Sequence, residues 1–337
     1  MDRVKSGFDL NEERLREEVN KRGAKRVLLQ LPDGLKSEGP RLASIIEDAG
    51  AIAIISGDPC YGGCDLALHE ARALKADLLI HYGHTRMIEI KEADVPVLYF
   101  EAKATVDILP AIRKALNLLK PWTRIGLATT VQHVDRIEGA KRVLEDAGKI
   151  VYIGRAGHMS YPGQVLGCDY SSAKIITDKV DAFLFIGGGR FHALGLCLVT
   201  KKPIAVADPY ENRAYLLSDE WKEIMKRRWD EIYRARRADS FGVIVGLKMG
   251  QCRMDAALKV KYEIQESGKK AALLCLREIT PQELMQFTTI DAFVNTACPR
   301  LSLDETTSFS KPLLTVEEAY VAIGKISWQE LMEKGVI

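Results

Sequence analysis

One order of short apolar runs recurs three times along this chain, and that tandem repeat constrains the fold more than any other feature of the sequence. The runs RVLLQL (26–31), RIGLATT (124–130) and GVIVGLK (242–248) each lead through a polar or glycine-bearing turn into a helical stretch. Second runs follow at AIAIISG (51–57), IVYIG (150–154) and KAALLCL (270–276). Third runs start directly after an aspartate in every unit: Asp77 before LLIHYG, Asp181 before AFLFIGG and Asp291 before AFVNTAC. The segments VPVLYFE, PIAVADP and KPLLTV close the units. Nearly continuous apolar runs alternating with helical stretches predict parallel strands covered on both faces. The expected fold is α/β, with three tandem pseudo-equivalent domains, each a small, mostly parallel four-stranded sheet flanked by helices. Boundaries are expected at 1–120, 121–215 and 216–337, the last domain beginning with a connecting helix.

Registering the units on their aspartates brings out the cysteines. Cys64 and Cys168 both stand 13 residues before their aspartate, and both are followed by Asp, as Cys64-Asp65 and Cys168-Asp169. They are equivalent positions. Cys298 lies 7 residues after Asp291, where the first unit has His84 and the second Gly188. It belongs to a different loop on the same edge. In open α/β sheets ligands gather outside the carboxyl ends of the strands, where loops and helix N-termini present N–H groups. Five of the six histidines fall at or near that edge: His81, His84, His133, His158 and His192, with His69 on a predicted helix. Each one alone is more often a hydrogen-bonded structural residue than a ligand, so the signal is their shared location.

Bulk properties fit an enzyme of the cytoplasm. A chain of 337 residues with 47% apolar content can bury several cores, and a net charge of +2 argues against a dedicated nucleic-acid binder. The basic stretch KRRWDEIYRARR (226–237) reads as the solvated face of a connecting helix, or secondarily as a protein-docking surface. No apolar run is long enough to predict a membrane span, and the charged N-terminus does not read as a signal peptide. Seven cysteines, an odd number, speak for buried thiols, metal ligands or catalysis rather than a disulfide framework. Cys197 and Cys275, set in apolar runs, are expected in the core. Cys252 reads as core or as support for the site, and Cys60, which has no counterpart in the other units, stays outside the primary set.

Cys64, Cys168 and Cys298 would place one thiolate in each domain, separated by 104 and 130 residues. Structural zinc usually takes four ligands from tight knuckles, which this chain lacks. A cubane iron–sulfur cluster accepts scattered thiolates, and with three of them leaves one iron open. From spacing alone, three unrelated buried thiols explain the pattern as well as a cluster does.

At YGGCD (61–65), YPGQVLGCDYS (161–171), GGGRFHALGL (187–196), DPY (208–210) and ACPRLSLD (297–304) the sequence resembles the archaeal diphthamide synthase family, the 2-(3-amino-3-carboxypropyl)histidine synthases. The resemblance runs from about residue 20 to 320 and includes the order and spacing of all three cysteines. It implies a homodimer whose protomers arrange three domains around a central [4Fe-4S] cluster held by Cys64, Cys168 and Cys298. It also implies a non-canonical radical reaction in which the 3-amino-3-carboxypropyl group of S-adenosylmethionine is transferred to a histidine of translation elongation factor 2, the first step toward diphthamide, with an external electron donor. Candidates for contact with S-adenosylmethionine are Gln132, His133, Gly187, Gly188, Gly189, His192, Lys248 and Gln251, all on predicted carboxyl-edge loops. Lys248 could pair a cofactor carboxylate, although a solvent-facing lysine is the commoner outcome. Two other readings compete: a quinolinate synthase-like enzyme with a [4Fe-4S] cluster as Lewis acid, and a non-enzymatic scaffold whose cysteines hold zinc or pack.

Overall fold

The three aspartates that mark the repeat perform the same task in each unit. Asp77 accepts the backbone N–H groups of Lys25 and Arg26 at 2.8 and 3.2 Å. Asp181 accepts those of Thr123 and Arg124 at 3.3 and 2.8 Å, and Asp291 those of Asp239 and Ser240 at 3.1 and 3.0 Å. Each aspartate returns its own N–H to the first strand, to the carbonyl of Arg26, Arg124 or Ser240. Donors that would be orphaned at the amino end of a strand are thereby paired, and the first and third strands are pinned in register. The Arg124 guanidinium reinforces the second clamp and holds the Asp181 carboxyl down at about 2.

The computed structural model describes residues 7–90, 94–156, 159–304 and 308–335. Its three large sheets share one strand order, in which the second strand of the unit lies at one edge, followed by the first, third and fourth. The first sheet runs Ile52–Ile55, Arg26–Gln30, Leu78–Tyr82, Val97–Phe100, all parallel. The third runs Lys270–Leu276, Ser240–Gly246, Ala292–Asn295, Leu313–Leu314, again all parallel. In the second, Ile150–Ile153, Arg124–Thr129, Ala182–Ile186 and Ile204–Asp208 repeat the pattern. A fifth strand, Arg213–Leu217, then pairs antiparallel with Ile204–Asp208. This departs from the four strands expected, because the chain reverses at once through a turn in which Asn212 takes a left-handed φ of 45°. In each sheet the order reverses across the first strand, so its carboxyl end marks the topological switch point at which α/β sheets bind ligands.

Alternate residues of the central strands feed two cores. In the first sheet Val27, Leu29 and Ile80 pack with Leu42, Ile46 and Leu15 on one face, while Leu28 and Leu79 pack with Leu66, Leu68 and Ala71 on the other. This two-faced burial explains why the strands read as unbroken apolar runs. Edge position explains one departure. Cys275, expected in the core, is exposed, because Lys270–Leu276 is an edge strand that leaves alternate side chains outside. Cys197 is buried as expected, and Cys252 is exposed rather than core or supporting.

The connecting helix, Glu220–Arg236, is only partly the solvated element its charge suggests. Arg228 on that helix is fully buried and grips Glu318 through Nε at 2.7 Å and Nη2 at 2.5 Å. It also donates to the carbonyls of Ser302 and Leu313. Glu318 simultaneously closes a capping box with Thr315 at the start of helix Val316–Ala322. Among the described residues no helix is long and apolar enough to cross a membrane.

Candidate functional site

Loops from all three sheets surround one cavity of about 420 Å³, and Cys64, Cys168 and Cys298 all line it. The expected equivalence of the first two is visible in their local structure, since the aspartate after each cysteine holds its loop. Asp65, almost wholly buried, accepts from the Tyr61 N–H at 3.4 Å. Asp169 accepts from the Ser171 N–H at 2.8 Å, just before helix Ser171–Lys174. Cys298 reaches the same space from the end of the third strand. There Asn295 accepts from Ala297 N–H at 2.9 Å and donates to the Cys298 carbonyl at 2.7 Å. Pro299 then opens helix Pro299–Asp304, a position where its missing N–H costs nothing. Burial raises the Cys298 thiol, and the backbone N–H groups of Arg300 and Leu301 oppose that rise, the Leu301 N–H donating to the Cys298 carbonyl at 3.2 Å.

Burial pushes all three thiols up, Cys168 to about 11, and the second cause for Cys168 is its proximity to Cys298 and then Cys64. The sulfurs therefore share one electrostatic environment. Among the described residues they do not all fall within 4.8 Å of one another. A single tetrahedral ion holds its thiolates closer than that. Because ligation requires thiolates, binding a metal group here would release protons from thiols that burial keeps neutral.

Contacts between units fix the cavity walls. Gly250 N–H donates to the Cys64 carbonyl at 2.8 Å, and Gln251 Nε2 lies 3.4 Å from the Cys64 sulfur. Gln132 Nε2 donates to the Gly83 carbonyl at 2.8 Å, and Gln164, from the segment before Cys168, donates to Thr85 Oγ1 at 3.0 Å. Arg300 donates to the Phe191 carbonyl at 2.7 Å, with its guanidinium stacked 4.0 Å from the Phe191 ring centre. Each pair of units is thus joined at the rim.

Of the residues expected to contact the cofactor, Gln132, His192, Lys248 and Gln251 line the cavity. Lys248 is nevertheless committed elsewhere. It is buried, with its ammonium 3.3 Å from Asp65, 2.9 Å from Glu278 and 3.9 Å from the centre of the Tyr61 ring. This corrects the solvent-facing reading, since Lys248 clamps the first unit to the third. His133 is not on the cavity wall. It is buried against Tyr210, with ring centres 5.5 Å apart, and its Nδ1 has no partner. Gly187, Gly188 and Gly189 do not reach the cavity either. They form a tight turn under Tyr210, whose ring would meet a Cβ on Gly188 at 2.8 Å, and Gly189 N–H is taken by Asp208. His158 lies outside the described residues.

Sequence reasoning missed Gln30, His81 as a buried partner of His84, and the wall formed by Arg277, Glu278 and Thr280. The last group follows the second strand of the third unit, the loop equivalent to those carrying Cys64 and Cys168. That equivalence was a usable signal.

The model for the diphthamide synthesis protein family matches residues 31–333. The 2-(3-amino-3-carboxypropyl)histidine synthase of Pyrococcus horikoshii is 37% identical over 309 residues, covering 91% of this chain and 88% of the relative. Subunit 1 of the corresponding synthase of Schizosaccharomyces pombe is 34% identical over 321 residues, covering 93% of this chain and 73% of the relative. Among solved structures, Dph2 from Pyrococcus horikoshii with a 4Fe-4S cluster superposes with a TM-score of 0.86 at 35% identity, covering 95% of this chain and 92% of that one.

Proposed function

This chain belongs to the diphthamide synthesis family, and on that premise we propose that it is a 2-(3-amino-3-carboxypropyl)histidine synthase whose cavity holds a [4Fe-4S] cluster through Cys64, Cys168 and Cys298. The observation that carries the ligand assignment is the convergence of three thiols, one from each sheet, on a single cavity wall. Such a cluster supplies the electron that cleaves the bond between sulfur and the aminocarboxypropyl carbon of S-adenosylmethionine. The protein's own part is to position and enclose. With three ligands the chain leaves one iron open, and walls drawn from three units decide which carbon of the co-substrate faces it. The acceptor in this reading is a histidine of translation elongation factor 2, the electron donor is external, the assembly is a homodimer and the location is cytoplasmic. The quinolinate synthase-like and zinc-scaffold readings yield to the family assignment.

The test is anaerobic incubation of the reduced protein with labelled S-adenosylmethionine and elongation factor 2, followed by mass analysis of the histidine peptide. Addition of the 3-amino-3-carboxypropyl group with release of methylthioadenosine is expected. Alanine at Cys64, Cys168 or Cys298 should abolish the brown colour and iron binding together with activity. A variant that kept a full cluster would remove its cysteine from the ligand set.

Gln251 gives a finer prediction. An N–H bond to a ligating thiolate stabilises the more negative, reduced state of a cluster. Gln251→Leu should therefore lower the reduction potential, by on the order of tens of millivolts for a bond of about 1 kcal/mol. A redox titration followed by electron paramagnetic resonance measures this, and an unchanged potential would show that the contact is absent from the loaded protein.

A further inference from the structure

The reaction proposed above leaves one proton without a destination, and the cavity wall contains a side chain built to take it. Transfer breaks the sulfur–carbon bond of the sulfonium and a C–H bond of the acceptor imidazole, and forms one carbon–carbon bond. The sulfonium becomes a neutral thioether, the electron supplied for cleavage is given back to its donor as the imidazole adduct regains aromaticity, and a single proton is released. A positioned base for that proton needs a lone pair facing the substrates.

Hydrogen-bond bookkeeping assigns such a lone pair to His84. Gln30 Nε2 donates to the Asp65 carbonyl at 2.7 Å, and Gln30 Oε1 accepts from Ala67 N–H at 3.1 Å, which fixes the orientation of the amide. Oε1 can only accept, so His81 Nδ1, 2.9 Å away, carries a hydrogen. His81 is wholly buried, and burial drives its pKa well below the ordinary value, so the ring is neutral and Nε2 is bare. His84 Nδ1 lies 3.0 Å from that Nε2 and must donate to it. His84 is neutral as well, held at about 4 chiefly by burial, which leaves its own Nε2 with a free lone pair. His84 lines the cavity beside the three cysteines, and its ring also faces the Tyr82 carbonyl, a second acceptor for its N–H.

We infer that His84 Nε2 accepts the proton released from the imidazole carbon, and that Gln30 and His81 are positioning residues that lock His84 in the tautomer able to do so. The chain Asp65–Gln30–His81–His84 runs from the Cys64 loop to the cavity, so the base and that loop share one support. Two further groups face His84: Cys60, whose sulfur lies within 4.8 Å of a ligating nitrogen on both His81 and His84, and His192 across the cavity. Burial holds the Cys60 thiol up at about 12, so it competes neither as thiolate nor as base.

The test scores two products from the anaerobically reconstituted full-length enzyme, methylthioadenosine and modified elongation factor. Wild type should form them in equal amounts; a wild type that forms neither refutes the reaction itself. His84→Asn keeps a donor toward His81 and removes the basic ring nitrogen, since an amide oxygen accepts a hydrogen bond without taking the proton. It should form methylthioadenosine within about threefold of wild type, while protein modification falls by about a hundredfold or more. A variant that stays coupled, or one in which both products fall in parallel, overturns the assignment of His84. Nitrogen NMR of histidine-labelled protein should show a protonated Nδ1 and an unprotonated Nε2 at His84, with that signature lost in Gln30→Leu. A protonated Nε2, or stoichiometric zinc that disappears in Cys60→Ala and so occupies the same nitrogens, also overturns it.

Discussion

Gly250→Ala is expected to strip iron from the cavity while leaving the three sheets folded. A Cβ at this position would sit 2.7 Å from the Cys64 Cβ, 2.8 Å from its Cα and 2.9 Å from its carbonyl oxygen. Two of those atoms are backbone, so no side-chain rotation relieves the overlap. The Cys64 loop would have to withdraw, breaking the bond from Gly250 N–H to the Cys64 carbonyl and moving one sulfur away from the other two. Overpacking of this kind costs roughly 1–3 kcal/mol. If the loop absorbs it, iron retention falls by about tenfold for each 1.4 kcal/mol. Gly139→Ala is the matched control: it lies within helix Ile137–Asp146 with nothing within 4 Å of the added methyl. That change should stabilise the protein by about 0.5–1 kcal/mol and leave iron content unaltered. Iron assay, blue-region absorbance and circular dichroism together read both variants, and full iron content in Gly250→Ala would show that the Cys64 loop yields without losing its ligand.

The largest stability effect is expected at Arg228→Met. The substitution leaves the Glu318 carboxylate wholly buried and unpaired, and strands the carbonyls of Ser302 and Leu313. Breaking one partner of a buried pair typically costs about 3–5 kcal/mol. Adding Glu318→Gln should restore a large part of this loss, because the buried charge disappears while the amide oxygen can still accept from Thr315 N–H, as Glu318 does at 2.8 Å. Urea denaturation of the single and double variants measures the difference. Equal stability of the two would mean that the unpaired charge is not the dominant cost.

The frame of this molecule was readable because its rules are local. Apolar runs placed all twelve strands of the repeat, and the shared aspartates set the register that made Cys64 and Cys168 equivalent. What stayed hidden depends on contacts between units. Gln251 and Cys64 are 187 residues apart, and no periodicity marks one as the partner of the other. The burial of Lys248 was hidden for the same reason, since its partners Asp65 and Glu278 come from other loops. Arg228 was hidden by its neighbours, because a basic stretch on a helix has the same composition whether or not one of its cations turns inward to meet a carboxylate. Gly187–Gly189 shows a pattern with two uses: three glycines suggest a ligand cradle, and they also allow the tight turn beneath Tyr210.

The aspartate clamps close the amino ends of the sheets, and the thiols emerge from the carboxyl ends. Framework and chemistry therefore occupy opposite poles of every unit, and a lineage that triplicated an ancestral module could rewrite one pole without unsettling the other. The displaced third cysteine, following the third strand where its two counterparts follow the second, is what such freedom would produce: symmetry retained where folding needs it and surrendered where reactivity calls for three dissimilar walls.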